Sequence, residues 1–282
     1  KNPGFTIVAV IALALGIGAN TAIFSVVNSV LLRPLPYKDP ERLVMVWEDA
    51  SKFGYPRDTP AAANFVDWRD QNTVFEGMAA IVDVSFNLTG TGDPERLEGR
   101  AVSANLFPLL GVGPQIGRTF TNAEDQPGSD HVVVLSYALW QRRFGGDNNI
   151  VGKSLSLNGE TYTVVGVMPA HFQFPTSDDA FWVPVGFTAE QAANRNRHYL
   201  QVVARLKPGT SLEQAQTEMH TIAARLAQTY PDTNTGVTAT VIPLRDFWFG
   251  KLRRSFWLLL GACGFVLLIA CANVANLLMT QA

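Results

Sequence analysis

The stretch HYLQVVARLKPGTSLEQAQTEMHTIAARLAQT, residues 198–229, decides the fold class. His198 to Leu206 is a short run rich in apolar and β-branched residues, and Lys207-Pro208-Gly209 is a turn. Thr210-Ser211-Leu212-Glu213 has capping-box spacing, in which a hydroxyl and a carboxylate three residues on satisfy each other's backbone donors. Leu212, Ala215, Met219, Ile222 and Leu226 recur at steps of three and four, which predicts an amphipathic helix to Thr229. Val237 to Pro243 is the next strand, completing a β-α-β unit.

A weaker unit of the same kind lies upstream. Leu43 to Trp47 reads as a strand, the region from Phe65 to Ala80 as a helix, and the chain through Ser103 as extended. Two such halves predict an α+β sandwich of helices on one sheet. Between them His131 to Leu135 reads as a strand and Ser136 to Phe144 as a short helix. Ser154 to Val167 reads as a hairpin turning on Asn158-Gly159. Pro- and Gly-rich stretches at Gly111 to Gly117 and Pro169 to Pro184 bracket this piece, which is expected to be an inserted, mainly β lobe at about 113–187.

This body, 33–254, lies between two stretches without any Asp, Glu, Lys, Arg or His: Phe5 to Leu32, 28 residues, and Phe256 to Met279, 24 residues. A helix rises about 1.5 Å per residue and a bilayer's hydrocarbon is about 30 Å thick, so each is long enough to cross. The expected organisation is a first transmembrane helix and stalk at 1–32, the body, and a second transmembrane helix at 255–282. A buried core helix is the competing reading for either stretch, and a signal peptide for the first, though an h-region is shorter. Ala14, Gly18 and Ala22, four residues apart, suit close approach of a neighbouring helix. Asn273 and Asn276 share a helical face and need a partner away from lipid. Trp248, Arg253, Arg254 and Trp257 are expected to anchor the second helix at the interface. Charge flanks leave the orientation open, because long translocated domains escape the positive-inside rule.

Composition and motifs exclude several functions. A net charge of -2 argues against a nucleic-acid partner. Cys263 and Cys271 both lie in the second apolar stretch, so the body has neither a disulfide framework nor a cysteine metal site. Gly146 to Ser154 resembles a phosphate-cradling loop, but it has five residues between its glycines instead of four and runs into a strand pattern. His131, His171, His198 and His220 have no metal-pair spacing, and Ser129-Asp130-His131 lies in no nucleophile elbow. Glu124-Asp125 and Asp178-Asp179 are expected to be solvated loop charges. No catalytic, cofactor-binding or metal site is expected, and the chain is read as a non-enzyme.

Several runs carry a family resemblance. They are Asn2 to Phe5, Leu13 to Phe24, Leu31 to Pro36, Gly117-Arg118-Thr119-Phe120, Gly152-Lys153-Ser154 with Thr163 to Val167, and Ala270 to Asn276. Through these the chain resembles MacB/FtsX-type ABC transporter permeases, the duplicated orphan permeases among them. The resemblance implies a plasma-membrane, multi-pass protein whose large domain is periplasmic or extracellular, with a porter-like α+β lobe and an inserted β lobe. It implies a separate cytoplasmic ABC ATPase as partner, with ATP bound only there, and a second permease half or copy. It also implies further spans downstream, so that the chain is expected to be a block of a larger permease that extrudes a substrate mechanically. The alternative is a membrane-anchored extracytoplasmic sensor domain, which has the same layout of a body between two helices.

Overall fold

The computed structural model describes residues 35–90 and 92–279 and, nearer the N-terminus, residues 10, 14, 17, 18, 20–22 and 25; the side chains of 251–257, 270, 273, 274 and 276–278 are not among those described. Residues 36–244 form one compact unit, and helical segments from the two ends of the chain form a second.

The body opens with β1 (Leu43–Ala50), β2 (Tyr55–Asp58), α1 (Ala62–Gln71), β3 (Phe75–Thr89) and β4 (Glu95–Val102). There follow α2 (Leu106–Leu110), β5 (Ile116–Gly117), β6 (Val132–Leu135), α3 (Tyr137–Phe144), β7 (Ser154–Leu157), β8 (Glu160–Val167) and β9 (Phe181–Pro184). The chain closes with α4 (Ala189–Ala193), β10 (Gln201–Leu206), α5 (Leu212–Thr229), α6 (Pro231–Asn234), β11 (Thr238–Pro243) and α7 (Leu244–Met279).

One sheet runs through the body in the order β11-β1-β10-β3-β4-β9-β6-β8-β5, with β2 beside β1 and β7 beside β3 and β8. The four strands β11-β1-β10-β3 are antiparallel neighbours. With α1 between β1 and β3 and α5 between β10 and β11, they make a split β-α-β arrangement, the α+β fold expected from the two halves. Phe65 and Trp68 of α1 and Met219, Ile222 and Leu226 of α5 bury against Val44, Val46, Val202 and Ala204 of the sheet. A second core gathers Leu88, Leu97, Val133, Trp140, Val164 and Phe181 around β6 to β9. β3 serves both. Its residues from Phe75 to Ile81 pair with β10, and those from Ile81 to Leu88 pair with β4.

Local chemistry sets the boundaries. Ser211, not Thr210, caps α5: Ser211 Oγ accepts the Gln214 amide at 3.1 Å, and Gln214 Oε1 accepts the Ser211 amide at 2.8 Å. The capping box is therefore one residue later than the sequence spacing suggests, which leaves Leu212 exposed at the start of the helix. The upstream helix stops at Gln71 rather than continuing to Ala80. Asn72 ends it, with Nδ2 donating to the Trp68 and Arg69 carbonyls and Oδ1 accepting from the Phe75 amide, so the same side chain starts β3. Asn158 and Gly159 have φ of 53° and 85°, the left-handed pair that a two-residue hairpin turn requires.

Candidate functional site

The motifs that suggest chemistry are committed to structure. In the glycine loop Lys153 Nζ pairs with Asp147 Oδ2 at 2.5 Å, and the Gly152 and Lys153 amides donate to the Val164 and Ile150 carbonyls. Donors spent in this way do not cradle a phosphate. His131 lies against the Tyr162 ring, 5.1 Å between centroids, with Asp130 Oδ1 at 3.5 Å.

Of the two acidic pairs, Asp178 is exposed as expected, whereas Asp179, Asp125 and Glu124 are not simply solvated loop charges. Asp179 is buried and takes Arg100 Nε at 2.6 Å and the Thr176 amide at 3.1 Å. Asp125 takes the Ala104 amide at 2.8 Å on one oxygen and the Gly186 amide at 3.0 Å on the other. Glu124 accepts both terminal nitrogens of Arg118, which holds its carboxyl down at about 2. These side chains fasten loops that their Pro- and Gly-rich surroundings leave without ladder hydrogen bonds.

A polar cluster stands where the 194–198 segment meets β1 and α1. Glu48 of β1 is 1% exposed. Its Oε1 accepts the Ala61 amide at 2.9 Å and Asn64 Nδ2 at 2.7 Å. Its Oε2 lies 3.0 Å from His198 Nδ1, which also meets the Thr59 carbonyl at 3.2 Å. Both neighbours of Nδ1 only accept, so that nitrogen carries a proton in either charge state. The Glu48 carboxylate raises the His198 pKa above its ordinary value, with Asp58 adding to the effect and burial opposing it. Asn64 Oδ1 takes Arg195 Nη1 at 2.6 Å and Asn234 Nδ2 at 3.0 Å. Arg195 pairs with Asp67 and lies over the Tyr230 ring, 3.5 Å from its centroid. The arrangement is a clasp of β1, α1, α6 and the 194–198 segment; none of its groups is an activated nucleophile.

In the helical unit, Asn20 Nδ2 donates to the Cys263 carbonyl at 3.3 Å, joining the N-terminal helical segment to α7. Ala14, Gly18 and Ala22 are exposed, and a Cβ added at Gly18 meets nothing within 4 Å. Trp248 packs edge to face on Phe249, 6.3 Å between centroids. The side chains of Arg253, Arg254, Trp257, Asn273 and Asn276 lie outside the described residues. Among the described residues no helix is long and apolar enough to cross a membrane, and no group of His, Cys, Asp and Glu is arranged to hold a metal.

Of the clasp residues the sequence reading named only His198, as a histidine without metal-pair spacing. The available signal was a charged residue within an apolar strand run, Glu48 in LVMVWEDA and Arg205 in QVVARL. Arg205 is likewise buried, and its Nε and Nη2 both donate to the Leu109 carbonyl, at 2.9 and 2.6 Å.

None of the curated proteins matches the chain. A domain of a permease protein from Porphyromonas gingivalis has a similar fold, with TM-score 0.56 and 15% identity over 73% of this chain and 92% of that one. The periplasmic region of MacB from Actinobacillus actinomycetemcomitans gives TM-score 0.53 and 12% identity over 75% and 92%. The extracellular domain of the noncanonic ABC-type transporter YknZ from Gram-positive bacteria gives 0.51 and 14% over 71% and 99%. The family model of the MacB-like periplasmic core domain matches residues 6–222, and the chain belongs to that family of ABC transporter permease domains.

Proposed function

We propose that this chain is a permease segment of an ABC-type transporter that exports its substrate by mechanical coupling. A separate cytoplasmic ATPase works on the membrane helices, and these move the body, which lies outside the cytoplasm and pushes or hands on cargo. The observation that carries this reading is the family match over 6–222 to a body flanked on both sides by charge-free apolar sequence.

Other features support it. Leu258, Phe265, Leu268 and Ile269 of α7 are between 61% and 70% exposed, an apolar surface suited to lipid or to neighbouring helices of a second permease half or copy. The body's charged clusters are spent on fastening loops and strands, which suits a part that transmits force rather than one that turns over a substrate. In this reading the protein resides in the plasma membrane, ATP is bound only by the partner subunit, and the chain itself is not an enzyme.

The test is a flexible Gly-Ser insertion near Leu32 in a full-length relative reconstituted with its ATPase. Transport is expected to disappear while ATP hydrolysis continues. Transport at the unmodified rate overturns the coupling.

A further inference from the structure

A cleft of about 490 Å³ opens between α1, the 122–126 loop and the 185–187 segment. Its walls come from α1, Met78 of β3, the 103–105 turn between β4 and α2, the 122–126 loop, the 185–187 segment and α4. The volume lies within the range of about 300–1,000 Å³ typical of small-molecule sites.

The charges beside the cleft are already occupied. Arg69 pairs with Asp70 at 2.7 Å, and both Asp125 oxygens hold backbone amides. The capacity left over is neutral. Ser103 is 8% exposed, and its Oγ accepts the Ala80 amide at 2.9 Å, which leaves the hydroxyl proton to donate. Asn105 Nδ2 donates to the Met78 carbonyl at 3.0 Å, which leaves Oδ1 to accept. Among the described residues, the Asn122 and Gln126 amides have no side-chain hydrogen-bond partner. Beside these groups lies the half-buried ring of Phe187, braced by Phe65 at 6.2 Å between centroids.

A ring of uncharged donors and acceptors next to an aromatic face selects its ligand by chemistry. An anion finds Arg69 already paired and is repelled by Asp125, whose charge its two amide donors do not cancel, while a cation competes with those amides for the Asp125 oxygens. An apolar molecule strands the Ser103 hydroxyl and Asn105 Oδ1, which costs affinity because unmet polar groups are penalised. A polyhydroxylated molecule meets both demands: each hydroxyl donates and accepts, and its C–H face lies on the aromatic ring. We propose that this cleft binds an uncharged saccharide of one or two rings.

The experiment uses the full chain in lipid nanodiscs, labelled with ¹³C at the methionine methyls. Met78 forms part of the cleft wall, whereas Met45, Met168 and Met219 are buried elsewhere and report on the fold. The probes are glucose, N-acetylglucosamine, cellobiose and chitobiose, with glucuronate as the charged control. At least one of the four sugars is expected to shift the Met78 signal saturably while the Met45, Met168 and Met219 signals stay in place. Replacing the exposed pair, Asn122→Ala with Gln126→Ala, is expected to weaken that binding by at least about tenfold, the loss of one to two hydrogen bonds. The absence of a saturable Met78 shift with any of the four, equal binding by the double variant, or tighter binding of glucuronate than of glucose overturns the proposal.

Discussion

The carboxylate of Glu48, sealed from solvent, lies 3.0 Å from Nδ1 of His198, and the two come from strands and loops at opposite ends of the body's sequence. The imidazole is only partly covered, with 32% of its side-chain surface exposed, so it exchanges protons with the medium while its partner does not meet water.

This pair gives stability a definite pH dependence. Glu48 raises the His198 pKa, so the protonated ring favours the folded state. The stabilisation is complete below the ordinary histidine value of about 6.5 and is lost as pH rises through the raised folded value. The unfolding temperature of the full chain is expected to fall as pH rises above about 6.5, and His198→Gln to flatten that slope. An unchanged slope in the variant refutes the assignment. At the acid end the sign reverses: the Arg118 contact to Glu124 contributes above the ordinary carboxylate value and is lost as pH falls towards about 2.

Removing the carboxylate altogether is a harsher change. Glu48→Ala leaves the Ala61 amide and Asn64 Nδ2 buried without an acceptor and is expected to cost about 3 kcal/mol. Glu48→Gln keeps one oxygen for them and is expected to cost about 1 kcal/mol. Urea titration of both variants separates the two values, and equal losses contradict the hydrogen-bond account.

Asp179 offers a comparable contrast in the second core. Asp179→Ala strands Arg100, whose side chain is 13% exposed, and frees the Thr176 amide, for an expected loss of about 3 kcal/mol. Asp179→Asn is expected to recover part of it. A loss below about 1 kcal/mol for the alanine variant, read from the same titration, indicates that the Arg100 contact to Asp83 suffices.

Gly166 sits on β8 between β5 and β6. A Cβ there falls 2.2 Å from the Arg118 carbonyl oxygen, too close unless the backbone moves. Gly166→Ala is expected to destabilise by about 3 kcal/mol, seen as a lower unfolding temperature. A melting curve superimposable on the parent's shows that β5 yields instead.

The outer edge of β11 is partly covered by one side chain. Gln216 of α5 donates from Nε2 to the Ala239 carbonyl at 2.6 Å and accepts the Val241 amide at 2.8 Å on Oε1, occupying the groups that another strand needs. Gln216→Ala is expected to raise self-association in nanodisc sedimentation. A distribution identical to the parent's removes the edge-blocking role.

The parts of the fold legible in sequence are those whose signals are local. The β10-α5-β11 unit announced itself through β-branched residues, the Lys207-Pro208-Gly209 turn and a repeat of three and four. The β7–β8 hairpin was marked by Asn158-Gly159. Where one side chain does two jobs, as Asn72 does in ending α1 and opening β3, apolar periodicity runs through the boundary unseen. Asp125 and Asp179 looked like solvent-facing charges because their partners, Gly186 and Arg100, are 61 and 79 residues away. The clasp was hidden for the same reason: nothing near Glu48 in the chain foretells His198 or Arg195, and an alternating strand leaves either face available to a carboxylate.

A single strand, β3, supplies Met78 to one core and Leu88 to the other. The two interiors therefore share a spine, and a single unfolding transition in calorimetry is the expected outcome. In the proposed mechanical role, a displacement of one interior reaches the other through β3, whose pairing with β10 carries one register shift near Phe75.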